Sequence, residues 1–227
     1  MIVMDLEWNR SYDKKKLDEI LQIGAVRVER PGAPVTDTFC AFIHPCVHKR
    51  FDPGARKLPD LRASIDSDIT FPEAWRDFVA WCGDERVFAF WGPDDFGVLR
   101  ASCAYWGVAC VEPERVYNFQ RAFAHACGAS KTMMALWRVA DYLGIPDVFD
   151  FHNALYDALY TALVGEWLRR EDLDYEPEKR SKRPPRRRRR ALPAAPQEKA
   201  AAAPKKRVRR RRRRKKPKGD APEAKST

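Results

Sequence analysis

Net positive charge is missing from most of this 227-residue chain. The whole sequence carries 43 Lys and Arg against 32 Asp and Glu, a formal +11. Of these, 23 basic and 3 acidic residues lie from Lys179 onward, which leaves 20 against 29 before it. The first part is thus about −9 and the second about +20. Attraction of polyanions by net charge belongs to the second part alone. No apolar run is long enough to cross a bilayer. The apolar start, Ile2 to Met4, is too short for a signal peptide, has no basic leader and runs into Asp5. A membrane partner is therefore not expected. The six cysteines include no Cys-x-x-Cys pair, and Cys40, His44, Cys46 and His48 match no structural zinc spacing. They read as reduced, partly buried thiols, which suits a cytoplasmic protein. The basic runs also resemble nuclear import signals, so a nuclear location is the alternative. No internal repeat is present.

The part before Lys179 is long enough for one domain with its own core. Apolar runs and alternation predict strands at 1–7, 20–29 and 37–43. A helix follows near 72–82, then a strand at 86–91 and a helix at 94–106. A short strand at 115–118 precedes helices near 119–127 and 131–143, and a last helix starts near 153 and runs to Arg169. Three hairpin-joined strands followed by alternating strands and helices imply an α/β fold with a mixed sheet. We place the domain at 1–172. Residues 173–227 hold two basic blocks, Arg186 to Arg190 and Lys205 to Lys218, around ALPAAPQEKAAAAP. They offer too little apolar surface to fold and are expected to form a disordered basic tail. The longest irregular stretch, His44 to Thr70, carries Lys49, Arg50, Arg56 and Lys57 and reads either as the border of a cleft or as a plain surface loop.

Within MIVMDLEWN, strand alternation sends Asp5 and Glu7 to one face and Leu6 to the other. Two neighbouring acids repel each other and resist desolvation, so such a pair is kept where a cation sits between them. A strand end running into water is the plain alternative. In VFAFWGPDDFG, Gly92-Pro93 ends a strand and Asp94-Asp95 opens a helix. One Asp suits the helix cap and the other can project toward the strand ends; we assign Asp94 to the cap and Asp95 to the site. In FDFHNALYDALYTALV, Ala154, Ala158 and Ala162 form a small face that lets a helix lie close against a sheet, with Leu155, Leu159 and Leu163 as an adjacent ridge. Asp157 falls in its first turns, and His152, five positions earlier, belongs on the entry loop where it can lean over the same spot. Each alone has an ordinary surface reading. Together, four carboxylates and one imidazole are what a hard-cation site with a general base requires.

The ordered set DLE, EILQIGAV, WGPDD and HNALYDA resembles the DEDDh 3'→5' exonucleases, the superfamily of RNase T and polymerase proofreading subunits. WG-x-x-D and the preceding FPEAWRDFVAWC are most similar to the Eri-type exoribonuclease branch and its bacterial relatives. The resemblance spans residues 1 to about 170 and implies an RNase H-like fold with a mixed five-stranded sheet flanked by helices. It implies that Asp5, Glu7, Asp95 and Asp157 hold two divalent cations, and that His152 is the general base. An oxygen-only shell suits Mg²⁺ or Mn²⁺. Leu6, Trp8 and Asn9, around Glu7, are candidate contacts for the terminal nucleotide, with Trp8 able to stack on a base. The implied activity is release of nucleoside 5'-monophosphates from the 3' end of single-stranded or 3'-overhanging nucleic acid. RNA is favoured over DNA by the resemblance, and ribosomal or structured RNA is a natural target of the tail. Two alternatives compete: an idle nuclease fold that only binds RNA or ribosomes, and a proofreading partner of a DNA polymerase.

Overall fold

The computed structural model describes residues 1–13, 16–128 and 134–174. Five strands form one sheet: β1 (Ile2–Asn9), β2 (Glu19–Val28), β3 (Val35–Phe42), β4 (Val87–Phe90) and β5 (Arg115–Asn118), in the order β3-β2-β1-β4-β5. The first three make an antiparallel meander. β4 runs parallel to β1, and β5 parallel to β4. This is the mixed sheet that the pattern implied, with the five strands of the RNase H-like fold that the resemblance implied.

Helices cover both faces. They are α1 (Leu61–Ile65), α2 (Phe71–Cys82), α3 (Asp95–Trp106), α4 (Phe119–Ala126), α5 (Leu136–Leu143), α6 (Ala154–Val164) and α7 (Arg170–Leu173). The alternation of β1 divides the core. Ile2, Met4 and Leu6 join the cluster that contains Phe71, Trp75 and Phe78 of α2 and Leu99 of α3. Val3 joins the opposite cluster, with Phe119 and Phe123 of α4 and Ala158 of α6. Asp5 and Glu7 continue the Val3 face, so they point to the α6 side.

That side is built for a close helix. Asp5 pairs with Gly24 and Glu7 with Gln22, and cross-strand partners share a face. A Cβ on Gly24 would lie 2.1 Å from the Ala154 carbonyl carbon and 2.1 Å from the Leu155 nitrogen. Only glycine admits the start of α6 at this distance. The backbone amide of Ala154 donates to Gln22 Oε1 at 3.0 Å, which fixes the helix end over the sheet. Ala154, Ala158 and Ala162 are all buried, as the small face requires.

Several expectations need correction. The final helix stops at Val164 and passes through a short 3-10 turn, Gly165–Trp167, rather than running to Arg169. A Cβ on Gly165 would sit 2.9 Å from the Gly32 amide, so that turn packs directly on the β2–β3 connection. The Leu ridge is only partly covered, and Leu163 is 42% exposed. The stretch His44 to Thr70 contains a 3-10 turn, Ala55–Lys57, and α1, both too short to leave a periodic signal. α5 begins at Leu136, because Ala135 is extended; the expected start at 131 lies outside the described residues. The expected tail beyond Asp174 also lies outside them. Asp174, two residues past the expected boundary, pairs through its carboxylate with Arg115 at 2.9 Å. Among the described residues, no helix is long and apolar enough to cross a membrane.

Candidate active site

Three chain segments deliver the acids to one place. β1 and β4 are parallel, so their C-terminal ends open on the same edge of the sheet. Ligands gather at such carboxyl ends in open α/β sheets. β1 brings Asp5 and Glu7 there, and the chain leaving β4 turns at Gly92-Pro93 into α3 with Asp95 in its first turn. α6 lies across the edge with Asp157 in its own first turn. All four acids and His152 line one cleft of about 620 Å³.

Asp95 and Asp94 are placed differently. Asp95 is 6% exposed, and the nearby backbone amides of Asp95 and Leu6 favour its charged form. Asp94 stands at the cap position but is exposed, and its side chain makes no capping hydrogen bond.

The acids crowd each other. Burial, then the charges of Asp95, Asp157 and Glu7, hold the Asp5 carboxyl well above the usual carboxylate range. Burial, then Asp157 and Asp95, push Glu7 up to about 8. Asp157 is raised to about 7, chiefly by burial, against a hydrogen bond from the His152 amide. Asp95 is raised to about 6, again chiefly by burial, against the lowering influence of the Asp95 and Leu6 amides. Among the described residues no Lys or Arg forms an ion pair with any of the four. Asp157 Oδ1 is buried with no hydrogen-bond partner. Glu7, His152 and Asp157 each offer a ligand atom, and these lie within 4.8 Å of one another. An orphaned buried carboxylate oxygen among mutually repelling acids fits a hard divalent cation.

His152 sits on the entry loop of α6, as its spacing implied. Among the described residues it is the one non-glycine with positive φ, at 68°. Such backbone costs of order 1 kcal/mol and clusters at functional sites. Its amide donates to Asp157 Oδ2 at 3.2 Å, while the ring projects outward, 71% exposed, with Nδ1 3.9 Å from Glu7 Oε1. Asn153 follows as the helix cap, its Oδ1 accepting the amides of Leu155 and Tyr156. Its Nδ2 donates to Asp60 Oδ2 at 2.6 Å, which ties the His152 loop to the chain after β3.

The three candidate nucleotide contacts are placed differently. Trp8 is half-buried and lines the cleft. Leu6 is buried with its side chain in the opposite core, and reaches the cleft through its backbone. Asn9 is fully buried and does not line the cleft. Its Oδ1 accepts the Asp52 amide at 2.8 Å and its Nδ2 donates to the Arg50 carbonyl at 3.0 Å. Both polar ends are thereby used, so Asn9 acts as a clamp rather than a substrate contact. Asp52 answers by accepting the amides of Arg10 and Gly54. This clamp holds Gly54, Ala55, Lys57 and Leu58 as one wall of the cleft, so part of the irregular stretch does border the site. Sequence reasoning missed Gln22, Gly24, Asp52 and Asp60. Gln22 and Gly24 did leave a signal, as a glutamine and a glycine inside an apolar strand. The four candidate zinc residues do not converge: His44 Nδ1 meets the Ile65 carbonyl and His48 Nε2 the Leu17 carbonyl.

The profile of the RNase T family, described as exonuclease, matches residues 2–164. No curated protein sequence matches the chain significantly. Among solved structures, cell-death related nuclease 4 (CRN-4) superposes with a TM-score of 0.61 at 15% identity, covering 73% of this chain and 62% of its own. The chain thus spans under two thirds of that protein. The nuclease domain of 3'hExo, a DEDDh family member bound to rAMP, superposes with a TM-score of 0.64 at 15% identity, covering 73% of this chain and 88% of its own. At these identities the likeness is one of fold.

Proposed function

Because this chain belongs to the RNase T family of exonucleases, we propose that it removes nucleotides one at a time from the 3' end of single-stranded nucleic acid, with RNA as the preferred strand. The observation that carries this reading is the convergence of Asp5, Glu7, Asp95 and Asp157 on one cleft, with Asp157 Oδ1 left unpartnered and His152 at its mouth. These four acids would hold two divalent cations, Mg²⁺ or Mn²⁺. When bound, such ions acidify water and offset charge on phosphate and on the leaving oxygen.

The remaining work falls to the chain. His152, exposed beside Glu7, takes the proton of the attacking water. Water oxygen bonds to the last bridging phosphorus, and the bond from phosphorus to the 3'-oxygen of the preceding nucleotide breaks. That oxygen takes a proton, and the last nucleotide leaves as a 5'-monophosphate. The Glu7 carboxylate stabilises the imidazolium that forms. Trp8 stacks on the terminal base at the cleft edge, while Lys57 on the facing wall draws the phosphate. The fold relative solved with rAMP supports an RNA strand. The basic residues from Lys179 onward tether long RNA, structured or ribosomal, and raise its concentration near an acidic domain.

The test is digestion of matched 5'-labelled single-stranded RNA and DNA with Mg²⁺, with Mn²⁺ and with chelator, beside Asp5→Ala. The expected result is a ladder shortening from the 3' end that needs a divalent cation and is absent in the variant. Equal turnover by Asp5→Ala, or cutting within the strand, would overturn the reading.

A further inference from the structure

A second groove of about 550 Å³ adjoins the cleft. The two share Trp8, Arg10 and Asp94, so one runs into the other. The new part lies between the β1–β2 connection and the exposed side of α3. It is lined by Lys16 on one bank and by Gly97, Val98 and Ala101 on the other. We propose that this groove binds the strand on the 5' side of the scissile nucleotide, beyond the one nucleotide that directly precedes it, as unpaired nucleic acid; the proposal rests on the exonuclease reading.

Four features support that occupant. First, the groove is continuous with the cleft at Trp8, so a strand whose last base lies against this ring runs on past it. Second, two cations face the groove in a domain whose net charge is negative. Arg10 and Lys16 both line it. Phosphates need such cations, and they cannot be drawn by the domain's net charge. Third, the α3 bank is small and apolar. Gly97 is exposed, with nothing within 4 Å of where its Cβ would stand, and Ala101 is exposed one turn on. Sugars and base faces can approach such a bank closely. Fourth, the Arg10 guanidinium lies 5.8 Å from the Trp8 ring centroid, so cation and stacking surface form one platform at the junction. The groove also holds two acids. Asp18 already accepts the Ser11 amide at 2.7 Å. Asp94 stands at the junction and repels phosphate, which sends the backbone along the Arg10 and Lys16 bank.

The experiment uses the full chain with Lys16→Glu and, separately, Ala101→Trp, which fills the groove from its other bank. Each is compared with wild type on an RNA dinucleotide and an RNA heptamer. Both residues are exposed, and melting temperatures identify any misfolded variant. The expected result is that the heptamer-to-dinucleotide ratio of kcat/KM falls about tenfold in each variant. In parallel, anisotropy of a heptamer with a terminal phosphorothioate is followed across a salt series. Lys16→Glu should flatten the slope of log K against log salt by about 0.7 for each phosphate that the protein no longer neutralises. A ratio within twofold of wild type in both variants overturns the groove. If wild type cuts neither oligonucleotide, the exonuclease reading fails, and the groove is then judged by anisotropy: unchanged heptamer affinity in both variants overturns it.

Discussion

Replacing Asp157 by asparagine should make the cation-free protein more stable at alkaline pH. The Asp157 carboxyl is raised from 3.8 to about 7 by folding. Between about pH 4 and 7 the folded chain therefore keeps a proton that the unfolded chain has lost. Stability falls as pH rises through that window, and above it the whole cost is present. Three pKa units correspond to roughly 4 kcal/mol as an upper bound. Asparagine removes the charge and can still accept the His152 amide with its carbonyl oxygen. Its amide nitrogen replaces the unpartnered Oδ1 with a donor facing the other carboxylates. A gain of about 2 kcal/mol, or about 4–8 °C in melting temperature, is expected at pH 8 in chelator. At pH 4.5 the difference should shrink to about a quarter of that, about 0.5 kcal/mol. Millimolar Mg²⁺ or Mn²⁺ should stabilise wild type at pH 8 and the variant much less. The assay is thermal unfolding followed by tryptophan fluorescence at both pH values, with chelator and with cation. Destabilisation of Asp157→Asn at pH 8 in chelator would refute the reasoning. It would mean that the carboxylate is an ordinary satisfied acceptor and that the acids do not strain the fold.

Three further outcomes are expected. His152→Ala should lower kcat by about 10²–10⁴ while leaving cation-induced stabilisation at pH 8 intact; loss of that stabilisation would make His152 a ligand instead of a base. Gly24→Ala should cost at least the 1–3 kcal/mol typical of overpacking and should also depress turnover, because the new methyl meets Ala154 backbone and displaces the helix that carries Asp157. A melting temperature and activity equal to wild type would contradict this. Deleting residues from Lys179 onward should leave hydrolysis of short oligonucleotides unchanged and weaken binding of long RNA at low salt, as read by a salt series on both proteins; equal affinities would exclude tethering by the tail.

Much of the site is legible along the chain because its signals are local. Alternation alone puts Asp5 and Glu7 on one strand face, and the small residues from Ala154 to Ala162 announce a helix lying close to a sheet. The ordered motifs then bring Asp95, His152 and Asp157 into the same set. Asn9 shows where such reading ends. Beside Glu7 in sequence it looks like a nucleotide contact, yet it turns inward to hold Arg50 and Asp52. Its polar ends are satisfied by a loop more than forty residues away, a pairing that no local pattern carries.

By itself, then, the sequence determined the identity of the acids, the face they share, the succession of strands and helices, and the segregation of charge between domain and tail. These depend on side-chain type and on the periods of 2.0 and 3.6 residues. Only the tertiary structure decided that Asp95 faces inward while Asp94 stays in water, that His152 takes a positive φ, and that Asp60 anchors the cap of α6 from 93 residues away. Those outcomes turn on which buried polar groups find partners once distant elements are packed together. That balance of desolvation against hydrogen bonding exists only in the folded chain.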